Sequence, residues 1–145
     1  MYYFFLDASA WVKRFHQELG TDIVNNLVDR LVPASPRRLA FSPLGLTEVI
    51  AALNRQKNEG HLSSELFQQA AARVLLEAQE LDLQSLDEQV VIKSAPYISK
   101  HNLNSADALY LYQAICLHRL LQTAKHQVVV VASDHRLLRA ATERD

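Results

Sequence analysis

Short apolar runs of the β-strand type alternate along this chain with longer stretches whose apolar residues recur at helical spacing. The runs are YYFFL at 2–6, LAFS at 39–42, a weaker segment at 83–86 and QVVVVAS at 127–133. Strands that are separated by helices imply a parallel sheet covered on both faces. The pattern therefore predicts an α/β fold, a three-layer α/β/α sandwich around a central parallel sheet.

The helical stretches follow from apolar periodicity and from residues that start or stop helices. Gly20 is expected to end the first helix and Thr21 to cap the second, while Pro43 and Gly60 bracket the third. Pro96 is expected to bend or end the helix that begins at Asp87. The predicted helices are 8–19, 22–31, 43–59, 63–82, the one from Asp87, 104–122 and 134–145.

Length and composition indicate one ordinary globular unit. The chain has 145 residues, 49% of them apolar and 21% charged, which is typical of a soluble protein and predicts a single domain over 1–145. The formal charge of −1 provides no overall attraction for nucleic acid, so any RNA contact must come from a local basic patch. The single cysteine, Cys116, excludes an internal disulfide and suits a reducing compartment.

The apolar beginning of the chain does not read as a targeting segment. MYYFFLDASAWVKRF lacks a basic leader and a small-residue cleavage site, and Asp7 interrupts it early. No apolar run approaches the roughly 20 residues that cross a bilayer. We therefore expect a cytoplasmic protein with no membrane association.

Four acidic residues stand apart from the others because their neighbours are apolar. Asp7 follows the first predicted strand and Asp134 the last, while Glu48 lies in LTEVIAAL and Asp107 in SADALYL. In open α/β sheets, ligands bind beyond the carboxyl ends of the strands. Four carboxylates in one crevice repel each other, and a divalent cation is the usual way to neutralise them. Oxygen ligation favours Mg²⁺ or Mn²⁺ over zinc.

Each acid also has a purely structural explanation. Asp7 and Asp134 could cap the helices that follow them, Asp107 could close a capping box with Asn104, and Glu48 could lie in the first turn of its helix. Capping does not, however, require four acids to lie among apolar neighbours at one end of a sheet. These residues alone therefore allow both interpretations of the four acids, a shared metal site and a set of helix caps.

Four segments resemble, in order and spacing, the acidic motifs of PIN-domain proteins, in particular the VapC-type toxins of bacterial type II toxin–antitoxin systems. These segments are FLDASAWVKRF, LTEVIAALNR, NSADALYLYQA and VVVASDHRLLRAA. The resemblance implies a metal-dependent endoribonuclease that hydrolyses RNA phosphodiester bonds. It places Asp7, Glu48, Asp107 and Asp134 as catalytic ligands of Mg²⁺ or Mn²⁺, with Ser9 supporting the site by hydrogen bonding.

The resemblance also implies partners. A toxin of this kind binds a cognate antitoxin protein and forms a homodimer, and the helices at 22–31 and 44–59 are the surfaces expected to receive the antitoxin. One position departs from the family pattern. Many members have Thr two positions before the last acid, where this chain has Ala132, and Ser133 offers a hydroxyl one position later to support Asp134.

Other side chains near these motifs have weaker functional interpretations. Lys13, Arg14 and Arg136 are the bases closest in sequence to the acids and could contact the RNA backbone, although bases of this kind more often lie on solvated helix faces. Tyr110 and Tyr112 could stack on unpaired bases, but tyrosines on an apolar helix more often belong to the core. The histidines show no metal-ligand spacing.

Three other classes of protein could also use acids at these positions. A haloacid-dehalogenase-type phosphatase resembles a DxD pattern, whereas Ser9 occupies the second position here, and a phosphorylation receiver requires a Lys after its last strand, which VVVVASDHR lacks. The alternative that remains is a catalytically inactive PIN-like module that binds RNA or a protein, with the acids kept as caps.

Overall fold

The structure is a computed structural model that describes residues 1–143. It contains one sheet of four parallel strands in the order β3-β2-β1-β4. The strands are β1 (Tyr2–Leu6), β2 (Leu39–Phe41), β3 (Asp82–Leu83) and β4 (Gln127–Val131). The predicted parallel sheet is confirmed, and its weakest strand begins one residue earlier than predicted and is shorter.

Seven α-helices connect and cover the strands within the described residues. They are α1 (Ala8–Trp11, continued by a 3-10 turn Val12–Arg14), α2 (Thr21–Leu31), α3 (Pro43–Asn58), α4 (Ser64–Ala78), α5 (Glu88–His101), α6 (Ser105–Gln122) and α7 (His135–Thr142). The predicted helix 134–145 extends beyond this part of the chain, and its last two positions lie outside the described residues.

Two apolar cores lie on opposite faces of the sheet, which confirms the three-layer arrangement. Successive strand residues point to opposite faces. Leu6 and Phe41 pack with Trp11 and the helices α2, α3 and α4, whereas Phe5 and Ala40 pack with α6 and α7. Both faces of β2 and of the end of β1 are thus buried, as expected for a parallel sheet covered by helices, whereas β3 and β4, at the two sides of the sheet, contain no fully buried residue.

The first predicted helix is much shorter than its apolar spacing indicated. The Thr21 hydroxyl accepts from the Glu18 amide at 3.0 Å and donates to the Lys13 carbonyl at 3.0 Å, which holds the segment between them in a turn. Thr21 therefore does not cap α2, whose N-cap is Gly20 at φ 91°. Leu19, counted in the helical stripe, is 94% exposed.

The structure refines two further helix predictions. Of the two effects predicted for Pro96, ending the helix is wrong, because α5 continues to His101 and stops at Asn102 in a left-handed conformation. The apolar phase of α4 is narrower than predicted, because Leu66 and Leu75 are exposed and its buried residues are Ala70 and Val74. Because α4 packs on α3, a narrow stripe of apolar residues is enough to hold it in place.

The adjacency of β1 and β4 decides where the site forms. Leu6 pairs with Val131, and the amide of Asp7 donates to the Val131 carbonyl at 3.0 Å. The chain therefore leaves both strands at the same edge of the sheet, with Asp7 and Asp134 at the starts of the following helices. Within residues 1–143, no helix is long and apolar enough to cross a membrane.

Candidate functional site

A cavity of about 510 Å³ opens at the carboxyl ends of the strands, and all four predicted acids line it. They reach it from four separate segments. Asp7 precedes α1, Glu48 projects from α3, Asp107 lies in the first turn of α6, and Asp134 precedes α7. Three crossover connections are needed to bring these positions together, so the cavity is a product of the parallel topology.

Asp7 is the most buried of the four acids, at 3% exposed. It caps α1: its Oδ2 accepts from the Ser9 amide at 3.1 Å and also from the Ser9 hydroxyl. That hydroxyl in turn accepts from the Ser133 amide at 2.9 Å, which ties the end of β1 to the end of β4. The other carboxylate oxygen, Asp7 Oδ1, is buried and has no hydrogen-bond partner among the described residues.

Asp107 and Glu48 are each held by a neighbouring side chain. Asn104 caps α6 by accepting from the Asp107 amide at 2.8 Å, and its own amide group donates to Asp107 Oδ2 at 3.0 Å. Tyr110, one turn further along α6, donates its hydroxyl to Glu48 Oε2 at 2.5 Å. Tyr110 is fully buried beside Phe5, so the structure makes it a core residue that positions Glu48.

Asp134 caps α7, and its Oδ1 accepts from the amides of Arg136 and Leu137 at 2.8 and 3.0 Å. Ser133 lines the cavity, but its support is different from the one predicted. Ser133 supports the site by donating its backbone amide to the Ser9 hydroxyl. Within residues 1–143 the Ser133 hydroxyl has no hydrogen bond to Asp134, which the helix amides already hold.

The four acids share one pattern. Each accepts hydrogen bonds through one carboxylate oxygen and leaves the other without a hydrogen-bond or ion-pair partner in the part of the chain that the structure describes. The capping interpretation is thus right for Asp7 and Asp134, and it does not exhaust their oxygens. The unengaged atoms are Asp7 Oδ1, Glu48 Oε1, Asp107 Oδ1 and Asp134 Oδ2.

The acids also act on each other electrostatically. Burial raises the pKa of Asp107 to about 6, with further contributions from the negative charges of Asp7, Asp134 and Glu48. Burial likewise raises the pKa of Asp7, while its hydrogen bonds from Ser9 oppose the rise and the charge of Asp134 adds to it. The carboxylates therefore lie close enough together to disfavour simultaneous ionisation.

The raised pKa of Asp107, caused first by burial and then by the neighbouring charges, predicts how Asp107→Asn changes stability with pH in metal-free protein. Between about pH 6 and the ordinary carboxyl pKa of 3.8, folded Asp107 takes up a proton that the unfolded chain does not, so this residue stabilises the fold as pH falls. At neutral pH the Asn variant should be more stable by about 1–2 kcal/mol after discounting for solvent screening.

Thermal unfolding of both proteins in EDTA across this pH range measures the effect. We expect the advantage of Asp107→Asn to shrink toward zero as the pH approaches the ordinary carboxyl pKa. An advantage that stays constant with pH, or a less stable variant at neutral pH, would contradict a raised pKa for Asp107.

The donor chemistry of the cavity fits a hard divalent cation. All four side chains offer oxygen, the donor that Mg²⁺ and Mn²⁺ prefer, and Asp7 Oδ1 is a buried oxygen with no partner in the described chain. Across residues 1–143, no three His, Cys, Asp or Glu side chains are already arranged to hold an ion. Coordination therefore requires the carboxylates to reorient toward each other.

The basic side chains that lie near the acids in sequence are not all near them in the structure. Lys13 lines the cavity, and its ammonium donates to the Leu19 carbonyl at 2.7 Å. Arg14 does not line it, because its guanidinium is bound to Glu77 at 2.6 Å and to Asp29 at 3.1 Å. These ion pairs give Arg14 a structural role, and its contact with RNA stays a prediction.

Arg136 is exposed and does not line the cavity, so a contact with RNA remains a prediction for this residue. Tyr112 packs near Tyr97, with ring centroids 5.9 Å apart, and also lies outside the cavity. The residue that sequence reasoning missed is Arg55, which lines the cavity from α3. Its spacing of seven residues from Glu48 places both on one helix face and could have identified it.

Comparison with known proteins agrees with this geometry. The family model for the PIN domain matches residues 4–143. Among solved structures, the chain is similar to the crystal structure of PAE2754 from Pyrobaculum aerophilum, with a TM-score of 0.67 and 16% sequence identity over 98% of this chain and 89% of that one. No curated protein matches. The structural likeness supports the fold, and the family model covers nearly every described residue. The chain therefore belongs to the PIN domain family, which is part of a nuclease superfamily.

Proposed function

We propose that this protein is a Mg²⁺- or Mn²⁺-dependent endoribonuclease that hydrolyses RNA phosphodiester bonds. One observation carries the proposal: Asp7, Glu48, Asp107 and Asp134 line one cavity, and each keeps one oxygen without a partner among the described residues. A cap needs only one carboxylate oxygen, so capping does not explain why four such groups are brought together against their mutual repulsion.

The chain's own residues divide the work of the site. Asp7 and Asp107, the two most buried acids, are proposed as direct metal ligands, and Glu48 and Asp134 as direct or water-mediated ligands. When bound, the metal supplies Lewis-acid stabilisation of charge on the phosphate and acidifies a water. Ser9 and Asn104 hold the two buried carboxylates in place, and Tyr110, whose pKa is raised by burial and by its bond to Glu48, stays protonated as a donor.

We further propose that the protein acts in the cytoplasm as the toxin of a toxin–antitoxin pair, as a homodimer with a cognate antitoxin. The support is the resemblance of its four motifs to VapC-type toxins and its membership of the PIN family. Of the two helices considered for antitoxin binding, α2 exposes Ile23 at 75%, whereas α3 exposes no large apolar side chain among its described residues. We therefore favour α2 as the docking helix.

The alternative function is a PIN-like module that binds RNA or protein without cutting. It is favoured by the structural work that each acid already does, as in the caps formed by Asp7 and Asp134, and by the lack of a prearranged ion cage in residues 1–143. The two functions differ in whether a divalent cation binds the acids and drives cleavage.

The deciding experiment incubates purified protein with structured and single-stranded RNAs in Mg²⁺, Mn²⁺ or EDTA, and titrates each metal by calorimetry. The proposal expects cleavage that either metal supports and EDTA abolishes. Intact RNA under every condition, together with no metal binding by calorimetry, would favour the binding module instead.

A further inference from the structure

Arg55 lines the cavity from the last turn of α3, a position that favours a cation but does not require it to face the cavity. It lies on the face of α3 that carries Glu48, and the residues at the intervening positions of this face are Ala51 and Ala52. All four line the cavity. Because alanine side chains are short, they leave open space between the carboxylate at one end of this helical stripe and the guanidinium at the other.

Arg55 differs from the other basic residues nearby in having no partner among residues 1–143. Its side chain is exposed and forms no hydrogen bond or ion pair with another described residue. Lys13, the other base in the cavity, is bound to the Leu19 carbonyl and lies 3.6 Å from Glu18, while Arg14 is bound to Glu77. A cation that lines an acidic cavity without pairing to its acids is available for an external anion.

We infer that Arg55 binds a backbone phosphate of the RNA at the cavity, an inference that rests on the proposed function. The net charge of the chain is −1, so attraction for RNA must be local. A guanidinium can hold a phosphate through two parallel hydrogen bonds, which an ammonium cannot reproduce. On this reading, α3 presents both a metal ligand, Glu48, and the group that holds the substrate beside it.

The test measures binding of a fluorescent single-stranded RNA, by anisotropy at several salt concentrations with Mg²⁺ present. The protein carries Asp7→Asn so that the RNA stays intact. Arg55→Gln, Arg55→Lys and Arg37→Gln are each added to this background. Arg37 is a matched control: it is exposed, and it lies in the loop before β2, at the opposite edge of the sheet from the cavity.

Arg55→Gln is expected to weaken binding about tenfold, as for loss of a hydrogen bond to a charged group. It should also lower the slope of log affinity against log salt by about 0.7, the value for one phosphate contact on a single strand. Arg55→Lys should keep that slope and recover only part of the affinity, and Arg37→Gln should change neither quantity.

Two results would overturn the inference alone: Arg55→Gln binding with unchanged affinity and slope, or Arg37→Gln weakening binding equally. In both cases RNA cleavage by the wild type would leave the proposed function standing. If the Asp7→Asn protein binds no RNA and the wild type cuts none, the proposed function and the role of Arg55 fail together.

Discussion

Asp7→Asn is expected to abolish metal-dependent RNA cleavage, by at least about a thousandfold, because the stabilisation that a metal provides in such reactions is worth several kcal/mol. The same variant should be as stable as the wild type, or more stable, in EDTA. Burial raises the pKa of Asp7, so its charged form destabilises the fold above that pKa, and a neutral side chain removes this penalty. Asparagine also remains a good helix cap.

The control is Asp87→Asn. Asp87 caps α5 through the Val90 amide at 2.9 Å, as Asp7 caps α1, but it lies outside the cavity. Cleavage rates of both variants at saturating Mg²⁺, and their thermal unfolding in EDTA, separate the two roles. Cleavage that survives Asp7→Asn would remove Asp7 from the reaction, and equal losses in both variants would indicate that caps, rather than the cavity, support activity.

Glu77→Ala is expected to destabilise the protein by about 3 kcal/mol, toward the low end of the range for breaking a buried ion pair. The Arg14 and Glu77 side chains are 10% and 13% exposed, and Glu77 also accepts from the indole Nε1 of Trp11 at 2.8 Å. Removing the carboxylate takes away the hydrogen-bond acceptor of both the Arg14 guanidinium and the Trp11 indole N–H, although Arg14 keeps its ion pair with Asp29.

Thermal and urea unfolding measure this loss, which corresponds to a fall in Tm of about 10 °C for a chain of this size. Glu80→Ala, an exposed change just beyond the same helix, should stay within about 0.5 kcal/mol of the wild type. Arg14→Met should also lower stability while leaving the RNA salt dependence unchanged. A stable Arg14→Met protein with weakened RNA binding would restore Arg14 as an RNA contact.

Local chemistry explains what could be predicted at the site. Asp7, Asn104 and Asp134 cap the helices that immediately follow them, and each bond spans three residues or fewer. Such contacts depend on residue type and spacing, which a sequence displays directly. The Thr21 cap was wrong because its hydroxyl is taken by Lys13 and Glu18 across a turn that apolar periodicity does not reveal.

The basic residues show the opposite case. Arg14 lies only three residues after Trp11. Its structural role, however, comes from its ion pair with Glu77, which is 63 positions away. Arg55 is 48 residues from Asp7, yet both line one cavity because α1 and α3 pack together. Distance along the chain is a poor measure of distance in a parallel α/β fold, since each crossover returns the chain to the same edge of the sheet.

By itself, the sequence determined the alternation of strands and helices, and with it a parallel sheet whose strands deliver Asp7 and Asp134 to one edge. The periodicity of apolar residues, the helix caps and the ends of strands are short-range properties, because residues a few positions apart specify them. The motif resemblance also predicted that Glu48 and Asp107 join them. The tertiary structure alone decided that each acid keeps one oxygen without a partner in the described chain, and that Arg55 rather than Arg14 lines the cavity. Those outcomes depend on packing between segments distant in sequence, where burial and neighbouring charges set both the partners and the pKa of each group.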